Sequence, residues 1–189
     1  PPRSIRRDST FEPEVAGLSS VEAMLSYLVE RATHKLRSHA LSCRSIEIRI
    51  VYVDTRSPSI RRTESARGGA MKKRLSLDES TDSTDAIWSH ARELLRALPR
   101  RRALTKRVGL SLLSLKPIGG WQGHLFNEAG EDPHKQSRDD RHRRLDAALD
   151  SLRARYGFGR VLRGSSAPLL EDHNLGEDGF ELRTPSLNQ

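Results

Sequence analysis

The cleanest two-residue period in the chain runs from Arg44 to Asp54. It sets Ile46, Ile48, Ile50 and Tyr52 on one side, with Glu47, Arg49, Val51 and Val53 on the other. A period of two belongs to a strand, and a strand whose two sides differ this much sits in a sheet covered on one face. The rest of the chain must therefore supply strand neighbours and one apolar cover.

Both are legible. Ser4 to Phe11 alternates Ile5, Arg7, Ser9 and Phe11 against Ser4, Arg6, Asp8 and Thr10, a short strand that Pro13 is expected to stop. Ser19 followed by Glu22 has the form of a capping box. The helix behind it carries Leu25, Leu28, Val29, Ala32 and Leu36 on one face, opposite Glu30, Arg31, Lys35 and Arg37. Met71 to Leu77 is a third strand, with Lys72, Arg74 and Ser76 facing away from Leu75 and Leu77. Residues 81–85 offer N-cap candidates for a second helix, whose stripe is Ile87, Ala91, Leu94, Leu95 and Leu98 and whose stop is Pro99. In a fourth strand Val108, Leu110 and Leu112 oppose Arg107, Gly109 and Ser111. The order β-α-β-β-α-β defines an α+β fold: a four-stranded sheet with two helices on one face, of the split βαβ or ferredoxin-like kind.

Residues 55–70, rich in Ser, Gly and Arg, are expected to form a long loop, and Arg100 to Arg102 a solvated turn. Residues 127–139 have the composition of a linker. Arg141 to Tyr156 is a helix with Leu145, Ala148, Leu149, Leu152 and Tyr156 on one face. Phe158 to Arg163 suits a short strand, and the polar stretch from Ser165 onward suits a disordered tail. The divisions are thus 1–126, a DNA-binding domain on the grounds below; 127–164, linker and helix-strand extension; and 165–189, tail.

Charge narrows the partner. Residues 1–126 hold 23 Lys and Arg against 13 Asp and Glu, and residues 127–189 hold 10 against 12. The chain's +8 is therefore a +10 first part joined to a −2 remainder, and a basic block of that size meets a polyanion. The open sheet face carries Arg6, Arg49, Lys72, Arg74 and Arg107 as its candidate cations. Its strands show no aromatic ladder of the sort on which RNA-recognition modules stack bases, so phosphates suit it better than base edges. No apolar run approaches the ~20 residues of a membrane helix, so no membrane partner is expected. The single cysteine, Cys43, excludes a disulfide framework and is expected to be buried and inert. The seven histidines lack metal-ligand spacing, and no metal site is expected. The opening Pro1-Pro2-Arg3, in place of Met, points to a longer parent protein.

Several fragments fall in a familiar order. SIRRDSTF is similar to the SI-x-x-E-x-TF strand that opens the little-finger domain of Y-family translesion DNA polymerases, with Asp8 where the family usually has Glu. HKLRSHALSCRSIEIRIVYVD resembles that family's passage from helix into second strand. KKRLSLDESTDSTDAIWSHARELL resembles its basic strand and second helix, and RRALTKRVGLSLLSL its last strand. The resemblance covers residues 4–126 and is nearest to the bacterial polymerase IV type. It implies a module that grips the backbone of primer-template DNA, in a protein of the bacterial cytoplasm and nucleoid. Ser4, Ile5, Arg6 and Arg7 on the first strand are the residues it implies, with Lys72, Lys73 and Arg74 on the third and Lys106 and Arg107 on the last.

It implies a second partner as well. Gln122-Gly123-His124-Leu125-Phe126 has the Q-x-x-L-F form of sliding-clamp-binding peptides, with Gln122 as hydrogen-bonding anchor and Leu125 and Phe126 as the apolar pair. The family's catalytic carboxylates have no counterpart here. The chain is expected to need no cofactor and to hold no catalytic residue, and magnesium belongs to the full-length polymerase. Two other readings share these features: a catalytically inactive damage-response adaptor built on the same domain, and a stand-alone RNA-binding ferredoxin-like domain.

Overall fold

A computed structural model describes residues 2–15, 17–53, 70–99, 103–118 and 133–169, without the side chains of 12–14 and 133–139. Four strands, β1 (Ile5–Val15), β2 (Leu41–Val53), β3 (Ala70–Thr81) and β4 (Leu104–Pro117), form one sheet in the order β1-β4-β2-β3. Every neighbouring pair is antiparallel. Helices α1 (Leu18–Ser38) and α2 (Thr84–Arg96) complete the β-α-β-β-α-β order. Each β-α-β unit is split by a strand of the other: β4 separates β1 from β2, and β2 separates β3 from β4.

The alternation read from β2 fixes the layers. Ile46, Ile48 and Ile50 face Leu112, Leu110 and Val108 of β4 in register, and all six are buried. Met24, Leu25, Leu28 and Leu36 of α1 and Ile87, Ala91, Leu94 and Leu95 of α2 close over them. Cys43 lies in this core, and burial pushes its thiol pKa up to about 12. Its thiolate is thereby suppressed.

The ends of the elements depart from expectation in places. β1 runs through Pro13 to Val15, its pairing shifting between Thr10 and Val15, a disturbance an edge strand tolerates. α1 begins at Leu18 with Gly17 as N-cap and no capping side chain. Glu22 instead reaches α2, pairing with Arg96 at 3.2 Å and Arg92 at 3.6 Å, so the expected capping box does not form. In α2 the expected N-cap is present: the Ser83 hydroxyl accepts from the Ala86 N–H. α1 leaves through Ala40 in the left-handed region, φ 51°.

The C-terminal extension differs most from its sequence reading. Helix α3 spans Pro133–Tyr156, so residues 133–139 are helix and not linker. Its apolar stripe does not dock: Leu145, Leu152 and Tyr156 are 49%, 42% and 54% exposed. The helix lies against the domain through charge. Asp150 takes two hydrogen bonds from the Arg37 guanidinium, at 2.7 and 3.0 Å, and its Oδ1 lies 3.0 Å from His34 Nδ1. Burial opposes the charges, but these bonds outweigh it, holding Asp150 below its usual pKa and Arg37 above its own. Asp146, also buried, accepts from the Thr84 N–H and from Arg163.

Arg153 pairs with Glu30, which α1's periodicity had put on its solvent side; both are buried. Residues 158–160 form a 3-10 turn in place of the expected strand. Phe158 sets its ring edge-on to Tyr27 and under the Arg153 guanidinium, 4.3 Å away. Residues 165–169 of the expected tail are ordered: Ser166 donates to Glu30, and Leu169 joins the core, while residues 170–189 lie outside the described residues.

Candidate nucleic-acid interface

The helices cover one side of the sheet, and the charges on the other follow from register. Across β1, β4, β2 and β3 one row reads Arg6, Ser111, Glu47, Arg74. The next reads Asp8, Gly109, Arg49, Lys72. A third brings Thr10, Arg107, Val51 and Ala70 into line. Alternation puts five cations on this face, and among its described residues there is no aromatic side chain.

Several of these cations have partners. Arg6 Nε donates to Asp8 Oδ2 at 2.9 Å, two residues along the same side of β1. Arg74 pairs with Glu47 across the strand pair at 3.2 Å. Arg107 Nε donates to the Thr10 hydroxyl at 3.2 Å. Arg49 has a buried Nε with no hydrogen-bond partner among the described residues. Gly109 sits between Asp8 and Arg49. A Cβ there would collide with the Asp8 carboxylate, so glycine is what lets the acid lie over β4.

Of the residues implied for DNA contact, Arg6, Lys72, Arg74 and Arg107 share this face. Lys106 is exposed beside it, at a point where β2 and β4 slip register, Val51 facing Arg107 and Tyr52 facing Thr105. Ser4 is exposed just before β1. Three of the implied side chains fall elsewhere, so of these residues only the backbone is left to the open side. Ile5 is in the core. Arg7, two residues on, points to the helix side, where burial and then nearby Arg31 lower its pKa. Lys73 reaches round to donate to the Ala97 carbonyl, at 3.3 Å, beyond the end of α2. Strand alternation requires this, since neighbours in a strand cannot share a face.

The structure adds four residues that the sequence reading did not single out for this surface: Asp8, Thr10, Glu47 and Gly109. Asp8 and Thr10 were legible, being on the alternating side shared with Arg6. The pairing of Glu47 with Arg74 required the β2–β3 register. Gln122, Leu125 and Phe126, and the turn Arg100 to Arg102, lie outside the described residues. Among the described residues no three His, Cys, Asp or Glu side chains group as a metal site, and no helix is long and apolar enough to cross a membrane.

A split-βαβ sheet with one covered and one cationic face defines the class, and sequence comparison supplies the family. Residues 2–125 match the model of the impB/mucB/samB family C-terminal domain, and the chain belongs to that family. Among its relatives is DNA polymerase IV of Desulfatibacillum aliphaticivorans, 28% identical over 174 residues, which are 92% of this chain and 39% of that protein. Another is DNA polymerase IV of Dehalococcoides mccartyi strain CBDB1, 30% identical over 166 residues, 86% of this chain and 36% of that protein. The chain thus spans well under half the length of the relatives it matches.

Among solved structures, a post-insertion binary complex of Dbh DNA polymerase aligns at 16% identity and a TM-score of 0.47, over 60% of this chain and 29% of that one. A complex of the beta-clamp processivity factor with the little finger domain of PolIV aligns at 15% identity and 0.42, over 65% of this chain and 98% of that one.

Proposed function

We propose that residues 5–118 grip the sugar-phosphate backbone of primer-template DNA as the little-finger part of a translesion DNA polymerase. The observation that carries this reading is the cationic open face: Arg6, Arg49, Lys72, Arg74 and Arg107 on one side of a four-stranded sheet whose other side is sealed by α1 and α2. Guanidinium and ammonium groups spread over a sheet meet phosphates without reading bases. Each phosphate neutralised releases counterions, giving affinity that is blind to sequence and steep in salt. A polymerase that passes damaged templates needs such a grip, because the duplex behind the lesion has no fixed sequence.

In this proposal template-directed nucleotidyl transfer belongs to the longer protein. The described residues offer no carboxylate cluster fit to hold magnesium, so no step of that chemistry is assigned to them. The name DNA polymerase IV, carried by the relatives, supports the assignment. Binding of primer-template duplex, single-stranded DNA and single-stranded RNA, compared at one salt concentration, tests it. Duplex preference is expected. A preference for single-stranded RNA would move the chain to the RNA-binding reading.

The proposal extends to the sliding clamp through Gln122, Leu125 and Phe126. It is supported by the Q-x-x-L-F pattern that follows β4 in the sequence. Leu125→Ala with Phe126→Ala should abolish clamp binding and leave duplex affinity intact. If the double variant keeps its clamp affinity, this part of the proposal is wrong.

A further inference from the structure

We propose that Asp8 and Glu47 are resident counter-ions of the open face, so that binding a duplex there exchanges protein carboxylate for DNA phosphate. The inference rests on reading this face as a backbone grip, and it concerns how strongly the face can hold.

The two acids sit in the middle of the basic surface. Asp8 holds Arg6 through Nε at 2.9 Å, and Glu47 holds Arg74 at 3.2 Å. The sheet makes room for the first of these: Gly109 is the position where any larger residue would push the Asp8 carboxylate away. In register the charges then alternate, with Asp8 beside Arg6 on β1 and in line with Arg49, and Glu47 beside Arg49 on β2 and in line with Arg6 and Arg74. Among the described residues Arg107 has a hydroxyl partner in Thr10 and no carboxylate, and no carboxylate pairs with Lys72.

An arginine already paired with a carboxylate brings little net charge to a polyanion. To hold a phosphate it must release the acid, which then stands solvated beside a second negative charge. Arg6 and Arg74 therefore guide the backbone while adding little net affinity, and Arg107, Lys72 and Arg49, which hold no carboxylate among the described residues, carry most of the attraction. A grip tempered this way keeps contact over many phosphates and still lets the duplex advance.

The test uses the 189-residue chain as Asp8→Asn and Glu47→Gln single variants, with a fluorescent primer-template duplex titrated across salt. Each amide keeps the shape and an acceptor oxygen for its arginine while removing the charge. Each variant is expected to bind roughly three- to tenfold tighter at low salt, with a log–log salt slope steeper by about 0.9. Unchanged or weaker binding with an unchanged slope would overturn the exchange, showing that the acids only orient their arginines. If the unsubstituted chain itself shows no salt-dependent duplex binding, the grip reading fails and the exchange with it. A melt by circular dichroism accompanies each variant. Should Asp8→Asn fail to fold, Glu47→Gln decides the matter alone, because Glu47 lies on another strand, in register with Ser111 and not with Gly109.

Discussion

The Arg153 guanidinium of α3 closes on the Glu30 carboxylate of α1, 123 residues earlier in the chain, and both side chains are withdrawn from water. Around the pair the Ser166 hydroxyl and the Arg163 N–H donate to the second Glu30 oxygen, and the Val161 carbonyl accepts from Arg153. A charge taken out of water is tolerated only when it is paired and hydrogen-bonded, and here each group is.

Removing one partner is therefore costly. Arg153→Met should destabilise the chain by about 3–5 kcal/mol, because Glu30 is left buried and unpaired. Urea denaturation reads this as a fall in midpoint. The double variant Glu30→Gln with Arg153→Met should regain much of the loss. A cost below about 1 kcal/mol for the single variant would mean that the extension does not seal Glu30 in solution.

Acid should loosen the extension through Asp150. Its pKa in the folded chain lies below its ordinary value of 3.8, since the hydrogen bonds from Arg37 and His34 outweigh burial. A depressed carboxylate stabilises the folded state above its unfolded pKa, and that contribution disappears as pH falls through the folded pKa. Stability should be level in this respect near neutrality and decline below about pH 4. Asp150→Asn should be less stable at pH 7 and show a shallower acid decline. Parallel curves for the two proteins would rule Asp150 out as the cause.

Cys43 should be silent toward thiol reagents. With no exposed surface and a pKa of about 12, it has almost no thiolate at pH 8. Labelling with a chromogenic disulfide should be negligible in the folded chain and prompt in denaturant. Fast labelling of the native chain would show that β2 opens where the core is described as closed.

How far the sequence carried these conclusions varies by element. Four strands and two helices were legible because one side of each faces a single apolar layer, and a period of two or 3.6 records that directly. Lys73 and Arg7, each next in sequence to open-face cations, have their side chains on the helix side, as alternation alone requires. Glu30 was unreadable as a buried residue, since its cover arrives from Arg153 and Ser166, far away in sequence. α3 misled for a related reason: Leu145, Leu152 and Tyr156 formed the visible stripe, while the docking contacts are the charges of Asp146, Asp150 and Arg153. A helix held by ion pairs leaves no hydrophobic period. Leu169 closes the core from a stretch too polar to suggest order. On the open face the cations were legible, but their pairing with Asp8 and Glu47 needed the strand register.

The central claim is that the open sheet face holds DNA by its phosphates. The most direct measurement is the salt dependence of duplex binding by the chain and by Arg107→Ala, on two duplexes of unrelated sequence. The account predicts steep log–log lines that coincide for the two sequences. It also predicts that the variant weakens binding equally on both and flattens the slope by about 0.9. Affinity lost on one sequence only, or a slope that Arg107→Ala leaves untouched, would contradict it.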